Sequence, residues 1–236
     1  MTEEIFRSHP YKQKCDAIIT AVHTGAVELD RTVFYPMGGG QPGDLGALKL
    51  ASGVSLLVTD TRRGSEAGQI LHLIEDATDM LIGMKVTACI CWPRRHRLMR
   101  MHTCLHLLSA VIAAGVTGGS VRDGSGRLDF DLPESNLDKE SLTRDLNRLI
   151  SDDHRVVTRW ITDEELDTQP ELVKTMSVKP PRGHGWIRLL EIEGVDLQPC
   201  GGTHVAGTKE IGHVRVSKIE KKGKHNRRVT VELEEE

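Results

Sequence analysis

The chain has few aromatic residues: Phe, Tyr and Trp together make up 3% of its 236 residues. Proteins that bind single-stranded nucleic acid on an open sheet stack successive bases on such side chains. This scarcity argues against an RRM-like module or another base-stacking platform.

Long apolar runs are lacking as well. No segment approaches the roughly 18 apolar residues of a membrane-spanning helix, and the N-terminal sequence MTEEIFRSHPYK has no apolar signal region. The five cysteines are an odd number, which does not suit a disulfide framework. We therefore expect a soluble cytoplasmic protein with reduced thiols and no membrane partner. Its net charge of -3 excludes a uniformly basic nucleic-acid coat, and no DNA partner is expected.

The fold class predicted from the sequence is α+β, in two domains. Residues 1–90 alternate short apolar runs with glycine-rich turns, which is typical of a small β-barrel. Residues 91–236 predict helices that precede and pack on an antiparallel sheet. Strands are predicted at 15–22, 26–30, 47–50, 53–60, 85–92, 185–192, 212–220 and 227–233.

Three helices are predicted in the second domain. The first covers about 93–114, with Pro93 at a first helical position and Gly115 just past the end. The second covers 138–151, and a short third begins at Thr162, where Glu165 completes a capping-box pattern. The apolar stripe predicted for the second helix consists of Leu142, Leu146 and Leu149.

The first predicted helix carries His102 and His106 within 101-MHTCLHLLSA-110. With 11 histidines in the chain, roughly 0.5 such pairs are expected by chance, so the spacing alone does not distinguish metal ligands from buried core histidines. A second pair, Cys200 and His204, repeats the spacing in 198-QPCGGTHVAG-207. Three imidazoles and one thiolate suit tetrahedral zinc, and together the two pairs predict a Zn²⁺ site.

Two alternatives bear on this metal site. No glutamate follows His102 in the HExxH pattern, which disfavours a metalloprotease. Four protein ligands are also typical of a purely structural zinc, since catalytic sites usually keep one position open. Cys104, between the histidines, is expected to be a small packed residue rather than a nucleophile.

A glycine-rich loop, 34-FYPMGGGQPGDLG-46, fits neither the GxGxxG nor the P-loop pattern. Its glycines allow a substrate to approach the main chain, and Gln41 supplies an amide beside them. An ordinary barrel turn explains the same composition equally well. The candidate substrate-binding residues in this loop are Gly38, Gly39, Gly40 and Gln41.

Basic residues cluster before the histidine helix and around a predicted hairpin turn near the C-terminus. Such runs are often simple solvated faces, but both flank the candidate metal site in sequence. They therefore predict a contact surface for an RNA phosphate backbone. The candidate residues are Arg94, Arg95, Lys221, Lys222, Lys224, Arg227 and Arg228.

Five segments, taken in order, resemble the editing portion of alanyl-tRNA synthetase and above all the stand-alone alanyl-tRNA editing proteins called AlaX, in their medium-length form. They are LDRTVFYPMGGGQPGD at 29–44, HTCLH, CGGTHV, KEIG at 209–212 and GKHNRRV at 223–229. The threonyl-type editing domain shares both ligand pairs, but the FYP-GGGQPGD segment is of the alanyl type. No segment resembles an aminoacylation module, which implies a reaction independent of ATP.

The resemblance implies zinc held by His102, His106, Cys200 and His204, with Thr203 as a hydroxyl contact beside it. The implied reaction is hydrolysis of the ester that joins serine or glycine to the terminal ribose of alanine tRNA. Met37 departs from the family, because related sequences often carry a polar residue there, and this puts serine recognition in question. Alternatives are an RNA-binding module with a structural zinc, or editing of another mischarged tRNA.

Overall fold

The computed structural model describes residues 1–133, 136–175 and 185–234. It divides into two compact units, Met1–His96 and Arg97–Glu236. Within the described ranges, no helix combines the length and the apolar character needed to cross a membrane. The predicted α+β class, with a barrel followed by helices on an antiparallel sheet, is confirmed.

The first unit contains a short helix, α1 (Ile5–Ser8), and a series of strands. The strands are β1 (Glu3–Glu4), β2 (Lys14–His23), β3 (Ala26–Leu29), β4 (Arg31–Thr32), β5 (Gly46–Leu50), β6 (Ser55–Arg63), β7 (Ile70–Ile74) and β8 (Lys85–Ile90). Six of them form a closed antiparallel barrel in the order β2-β3-β7-β6-β5-β8, and β1 pairs in parallel with β4.

The barrel core consists mainly of apolar residues at alternate, inward-pointing positions of the strands. In β2 these are Cys15, Ala17 and Ile19, each buried in the barrel core. The sequence prediction missed β7, in which Ile70 and Ile74 are buried together with His72. A histidine at the central inward position interrupts the apolar alternation, so the strand had no clear period-two pattern.

The elements from residue 92 onward are α2 (Trp92–Val111), β9 (Val116–Arg122), β10 (Ser125–Asp131), α3 (Lys139–Ser151), β11 (Val156–Ile161), α4 (Asp163–Asp167), β12 (Ile187–Ile192), β13 (Asp196–Pro199), β14 (Val214–Lys222) and β15 (Asn226–Leu233), with 3-10 turns at Pro170–Leu172 and Thr208–Ile211. Helix α2 begins within the residues of the first unit. The strands of the second unit form two antiparallel sheets, ordered β14-β15-β10-β9 and β11-β12-β13.

Several predicted boundaries are wrong. Helix α2 ends at Val111 rather than near 114, because the chain must turn before β9 begins at Val116. The hairpin β9–β10 was not predicted, because its glycines and charged residues interrupt the alternation of apolar and polar residues. In the structure, β10 pairs with β15, so the hairpin belongs to the same sheet as β14 and β15. The sheet strands therefore do not all follow the helices. Strands β11 and β13 were also missed.

Helix α3 packs on the four-stranded sheet. Asp138 caps its N-terminus by accepting from the Ser141 N–H at 2.8 Å. Asn147 donates to the Val214 carbonyl at 2.8 Å and accepts from the Val214 N–H at 3.0 Å, which ties the helix to the first residue of β14. The buried stripe is Leu142, Leu146 and Ile150 rather than the predicted Leu149. The predicted capping box at the start of α4 is confirmed.

The fully buried His72 makes the barrel sensitive to acid. Burial lowers the pKa of its imidazole from 6.5 to about 4, against the opposing effect of a hydrogen bond to the Val27 carbonyl. Below about pH 6.5 the unfolded chain binds a proton that the folded chain does not. Stability from neutral His72 is therefore complete above that pH and is lost as the pH falls toward 4.

We expect acidification from pH 7 to pH 4 to cost up to about 3 kcal/mol through this one residue. Urea unfolding of wild type and His72→Gln across this range measures the effect. The glutamine keeps a polar group near Thr32, whose hydroxyl lies 2.8 Å from His72 Nε2, but it does not titrate. The variant should lose less stability than wild type over the same interval; parallel curves would contradict the assignment.

Candidate metal centre

Two histidines on α2 form one half of the site. His102 and His106 are both buried and lie one helical turn apart, with ring centroids separated by 5.4 Å. Cys104 between them is fully buried, and burial raises the pKa of its thiol to about 12. It is therefore a packed, unreactive residue, as predicted.

The second half follows β13 directly. From there Cys200 places its Sγ 3.2 Å from His204 Nε2 and 3.6 Å from His102 Nε2. Arg188 of β12 fixes this turn, since its Nη1 donates to the Cys200 carbonyl at 2.6 Å and to the Gly202 carbonyl at 3.1 Å. The Gly202 N–H in turn approaches the thiol sulfur at 3.5 Å.

The two halves converge on one point. One potential ligand atom from each of His102, His106, Cys200 and His204 lies within 4.8 Å of all the others. The centroid of His204 is 4.3 Å from that of His102 and 5.0 Å from that of His106. Four lone-pair donors at this separation, with three of the four side chains buried, can hold one metal ion.

A buried carboxylate orients one of these ligands. His106 Nδ1 lies 3.0 Å from Asp196 Oδ2, which leaves Nε2 to face the other ligands. Lys174 Nζ donates to Asp196 Oδ1 at 2.6 Å, and Gln198 Nε2 donates to Asp196 Oδ2 at 2.7 Å. A carboxylate behind a metal-binding histidine selects the tautomer and increases the basicity of the ligand nitrogen.

A threonine plays the corresponding part for His204. The Thr103 hydroxyl donates to the Met99 carbonyl at 3.0 Å, so its oxygen accepts from His204 Nδ1 at 3.2 Å and from the Val205 N–H at 3.3 Å. Because Nδ1 of His204 carries the proton, its Nε2 offers a lone pair toward Cys200. Thr103 thus connects helix α2 to the segment of His204 and Val205 by hydrogen bonds beside the four candidate ligands.

The electrostatics of the cluster favour a thiolate. Burial would raise the pKa of the Cys200 thiol, but the three surrounding imidazoles outweigh burial and hold this pKa well below its usual range. Burial would likewise lower the pKa of His106, yet Cys200 and Asp196 together raise it to about 9. Burial would raise the pKa of Asp196, but the hydrogen bond and charge of His106, with the hydrogen bond from Lys174, outweigh burial and lower this pKa to about 2.

Comparison with known proteins identifies the relatives of this chain. The family described as "Threonyl and Alanyl tRNA synthetase second additional domain" matches residues 187–230, and "tRNA synthetases class II (A)" matches residues 2–94. The alanyl-tRNA editing protein AlaX-M of Saccharolobus solfataricus is 36% identical over 233 residues, covering 97% of this chain and 98% of that protein. The chain belongs to the AlaX family of stand-alone alanyl-tRNA editing proteins.

Two further relatives define the extent of the likeness. The AlaX-M protein of Pyrococcus horikoshii is 30% identical, with 99% of both chains covered. The alanine–tRNA ligase of Sulfurisphaera tokodaii is 33% identical, and the match covers 93% of this chain but 25% of the ligase. This AlaX chain is an aminoacyl-tRNA deacylase, a hydrolase of the aminoacyl ester.

The predicted substrate loop lies in the first unit of the AlaX chain. Gly38 and Gln41 pair through mutual backbone hydrogen bonds of 3.1 and 2.9 Å, and the exposed Gly39 and Gly40 between them have φ values of 56° and 81°. The Gln41 side chain is fully buried. Thr203, next to His204 in the second unit, is also buried. Substrate contacts at these five positions stay predictions.

One predicted RNA contact is wrong. Arg95 is fully buried, and its guanidinium is paired with Asp44 and donates to the carbonyls of Val33 and Pro10 at 2.8 and 3.2 Å. Arg95 therefore supports the loop that ends at Asp44 rather than binding phosphate. Its neighbour Arg94 is half-buried and donates to the Gly43 carbonyl at 2.8 Å.

The remaining basic residues surround the turn between β14 and β15. Lys221 and Lys224 are exposed, and Lys222 lies 3.4 Å from Glu220. Arg228 donates to both carboxylate oxygens of Asp129, at 2.7 and 2.9 Å. Arg227 donates to the carbonyls of Asn226 and Pro133. The exposed lysines of this AlaX chain are thus better placed to meet phosphate than the two arginines.

Sequence reasoning missed the residues behind the ligands. A signal was present: Asp196 and Gln198 precede Cys200 at alternate positions, which places all three on one side of an extended chain. Thr103 and Lys174 carried no such signal, because their contacts depend on how distant segments of AlaX fold together. Arg188 was hidden within an apolar strand.

Removing the charge behind His106 should weaken metal binding. We expect Asp196→Asn to lower zinc affinity by about 10- to 100-fold, since His106 loses the acceptor that orients it. Competition with a chromophoric zinc chelator measures the change. Asp129→Asn is the matched control, because Asp129 also pairs with basic side chains but lies away from the ligands. Equal affinities of the two variants would contradict the role given to Asp196.

Proposed function

We propose that this chain edits mischarged alanine tRNA in trans, by hydrolysing the ester that joins serine, and also glycine, to the terminal ribose. The observation that carries the proposal is the convergence of four ligand atoms within 4.8 Å, in a chain that covers nearly all of the relatives named alanyl-tRNA editing proteins. Five free cysteines are consistent with the proposed cytoplasmic location.

Zinc is the metal proposed for this site. Tetrahedral zinc would place two nitrogen ligands about 3.4 Å apart, and a nitrogen and a sulfur ligand about 3.6 Å apart, given its usual bond lengths. The distances from Cys200 Sγ to the nitrogens of His204 and His102, 3.2 and 3.6 Å, agree with this spacing. A thiolate and three imidazoles, each of them neutral when it binds a metal, also suit a borderline-soft ion.

The chain's own groups prepare the site for the ion and the ester. Asp196 and Thr103 hold His106 and His204 with one ring nitrogen protonated and the other facing inward. Arg188 fixes the Cys200 turn. When bound, the ion would supply Lewis acidity for the ester carbonyl or for water. Thr203 is proposed as a hydroxyl contact to the substrate, and Gly38, Gly39, Gly40 and Gln41 of the first unit are proposed as further substrate-binding residues.

The tRNA is the proposed partner, held through its phosphates. The exposed Lys221 and Lys224, together with Lys222, lie at one hairpin turn, where they can neutralise backbone charge without reading sequence. Arg94, Arg227 and Arg228 are proposed as further contacts, each through donor groups beyond the hydrogen bonds described above. Binding through these residues is expected to weaken as salt concentration rises.

The decisive assay is deacylation of a panel of charged tRNAs. We expect the zinc-loaded protein to remove serine from Ser-tRNA(Ala) faster than alanine from Ala-tRNA(Ala), with Gly-tRNA(Ala) also cleaved. Met37, which is 52% exposed, adds no hydroxyl of its own, so the preference between serine and glycine should be weak. Serine loss no faster than in buffer, or equal loss from an unrelated seryl-tRNA, would contradict the proposal.

A second candidate function is an RNA-binding module with a purely structural zinc. The observation that favours it is the ligand count, because closed four-ligand sites usually serve folding. The two candidates differ in what the metal contributes once the chain has folded.

Substituting one ligand distinguishes them. In a catalytic site, we expect His106→Gln to reduce deacylation by at least about 100-fold while the circular dichroism spectrum and the urea midpoint stay close to wild type. In a structural site, the same change should unfold the second unit and abolish RNA binding along with any activity. His213→Gln, at an exposed histidine of the same unit, is the control.

A further inference from the structure

The sheet β11-β12-β13 presents one face to the metal centre. Trp160 of β11 lies directly opposite Arg188 of β12, and Leu190 lies opposite Gln198 of β13. Side chains alternate between the two faces of a sheet, so these four residues share one face. Trp186 stands two positions before Arg188 and directly before β12 begins at Ile187, so the same alternation, continued by one residue, assigns it to that face as well.

The same face carries the supports of the metal ligands. Arg188 reaches from it to the Cys200 and Gly202 carbonyls, and Gln198 and Asp196 meet there, with Asp196 accepting from His106. Arg188 therefore lies between the two tryptophans and the turn at Cys200 to Gly202: it is the cross-strand neighbour of Trp160, and its side chain donates to that turn.

The opposite face is already covered. Ile187 and Leu189 of β12 pack there against Leu166 and Leu172, with Ile161 beside them. By contrast, Trp160 is 51% exposed and Trp186 is 60% exposed. Two large aromatic side chains left in water at one end of a face, in a chain with 3% aromatic residues, indicate a surface that meets a ligand.

We propose that Trp160 and Trp186 form a stacking surface for the nucleobase of the 3′-terminal nucleotide of the tRNA. This inference rests on the proposed function. The scissile ester is on the ribose of that nucleotide, so a base bound with its ester at the metal must lie within one nucleotide of the Cys200 loop. Arg188 spans the step from that loop to the tryptophans.

The spacing expected between Trp160 and Trp186 suits a nucleobase. Trp160 lies opposite Arg188, so Trp186 is its diagonal neighbour, and diagonal neighbours on one sheet face lie about 7–8 Å apart. This is twice the roughly 3.5–4.0 Å at which carbon atoms make their best contacts, so one flat ring fits between or across the two indoles. Such stacking tolerates any base, and its function here is to position the ester rather than to read sequence.

A binding experiment that needs no catalysis tests the surface. The probe is the trinucleotide CCA with serine attached to its 3′ end through an amide, which the protein cannot hydrolyse as an ester. The matched probe has an abasic ribose in place of the last adenosine. We expect wild type to bind the first more tightly by roughly ten-fold or more, with quenching of tryptophan fluorescence.

Single variants assign the effect to the two positions. Trp160→Ala and Trp186→Ala should each bind the two probes nearly equally, whereas Trp160→Phe and Trp186→Phe should keep much of the preference. Leu57→Ala, at a 61% exposed apolar residue of the barrel, is the control and should behave as wild type. In deacylation, the alanine variants should raise KM more than they lower kcat.

The possible results separate this inference from the function on which it rests. Hydrolysis of Ser-tRNA(Ala) by a protein that binds both probes equally overturns the stacking surface alone. Base-dependent binding without hydrolysis keeps the surface and overturns the proposed function. If the alanine variants instead change the sedimentation mass without changing probe preference, the tryptophans belong to a contact between copies of the chain, and the inference is wrong.

Discussion

The arrangement of the second unit around the candidate metal site depends on the hydrogen bonds to one buried carboxylate, that of Asp196. It has no solvent to stabilise its charge, so it needs the hydrogen bonds from His106, Lys174 and Gln198. Those three donors come from a helix, from the segment after a 3-10 turn and from the carboxylate's own strand. The charge thus fixes the position of α2 against the sheet that ends at Cys200, and the ligand geometry follows from that position.

A comparable pair supports the barrel. Asp44 and Arg95 are both buried, and the aspartate also accepts from the Tyr35 N–H at the start of the glycine-rich loop. Removing one partner of such a pair leaves a charge without compensation, which is far more costly than never having had the pair. The loop therefore owes its shape to an arginine that, by sequence alone, looked like one of several exposed cations.

The sequence predicted what is local or periodic. The helix of His102, the capping box of Thr162 and the alternating strands near the C-terminus follow from spacing alone. Two repeated spacings, taken together, also singled out the four side chains that converge in the second unit. Prediction from the sequence failed where burial of a polar residue depends on a distant partner. Strand β7 was missed because it carries the buried His72, which hydrogen-bonds with Thr32. Arg95 was taken as an exposed cation, but it is buried in a pair with Asp44. The division into two folding domains near residue 90 and the substrate contacts of the glycine loop stay predictions.

The ligands also constrain how the chain reaches its folded state. Cys200 and His102 are 98 positions apart, so the site closes a loop that contains both sheets' first strands and α3. Closing so long a loop carries an entropic cost, which grows with the logarithm of the loop length. During synthesis, the histidines of α2 leave the ribosome long before the thiolate that completes their site. The nascent chain must therefore bury or solvate these two imidazoles until Cys200 and His204 have been made, and a metal ion that needs all four side chains would bind only after that point.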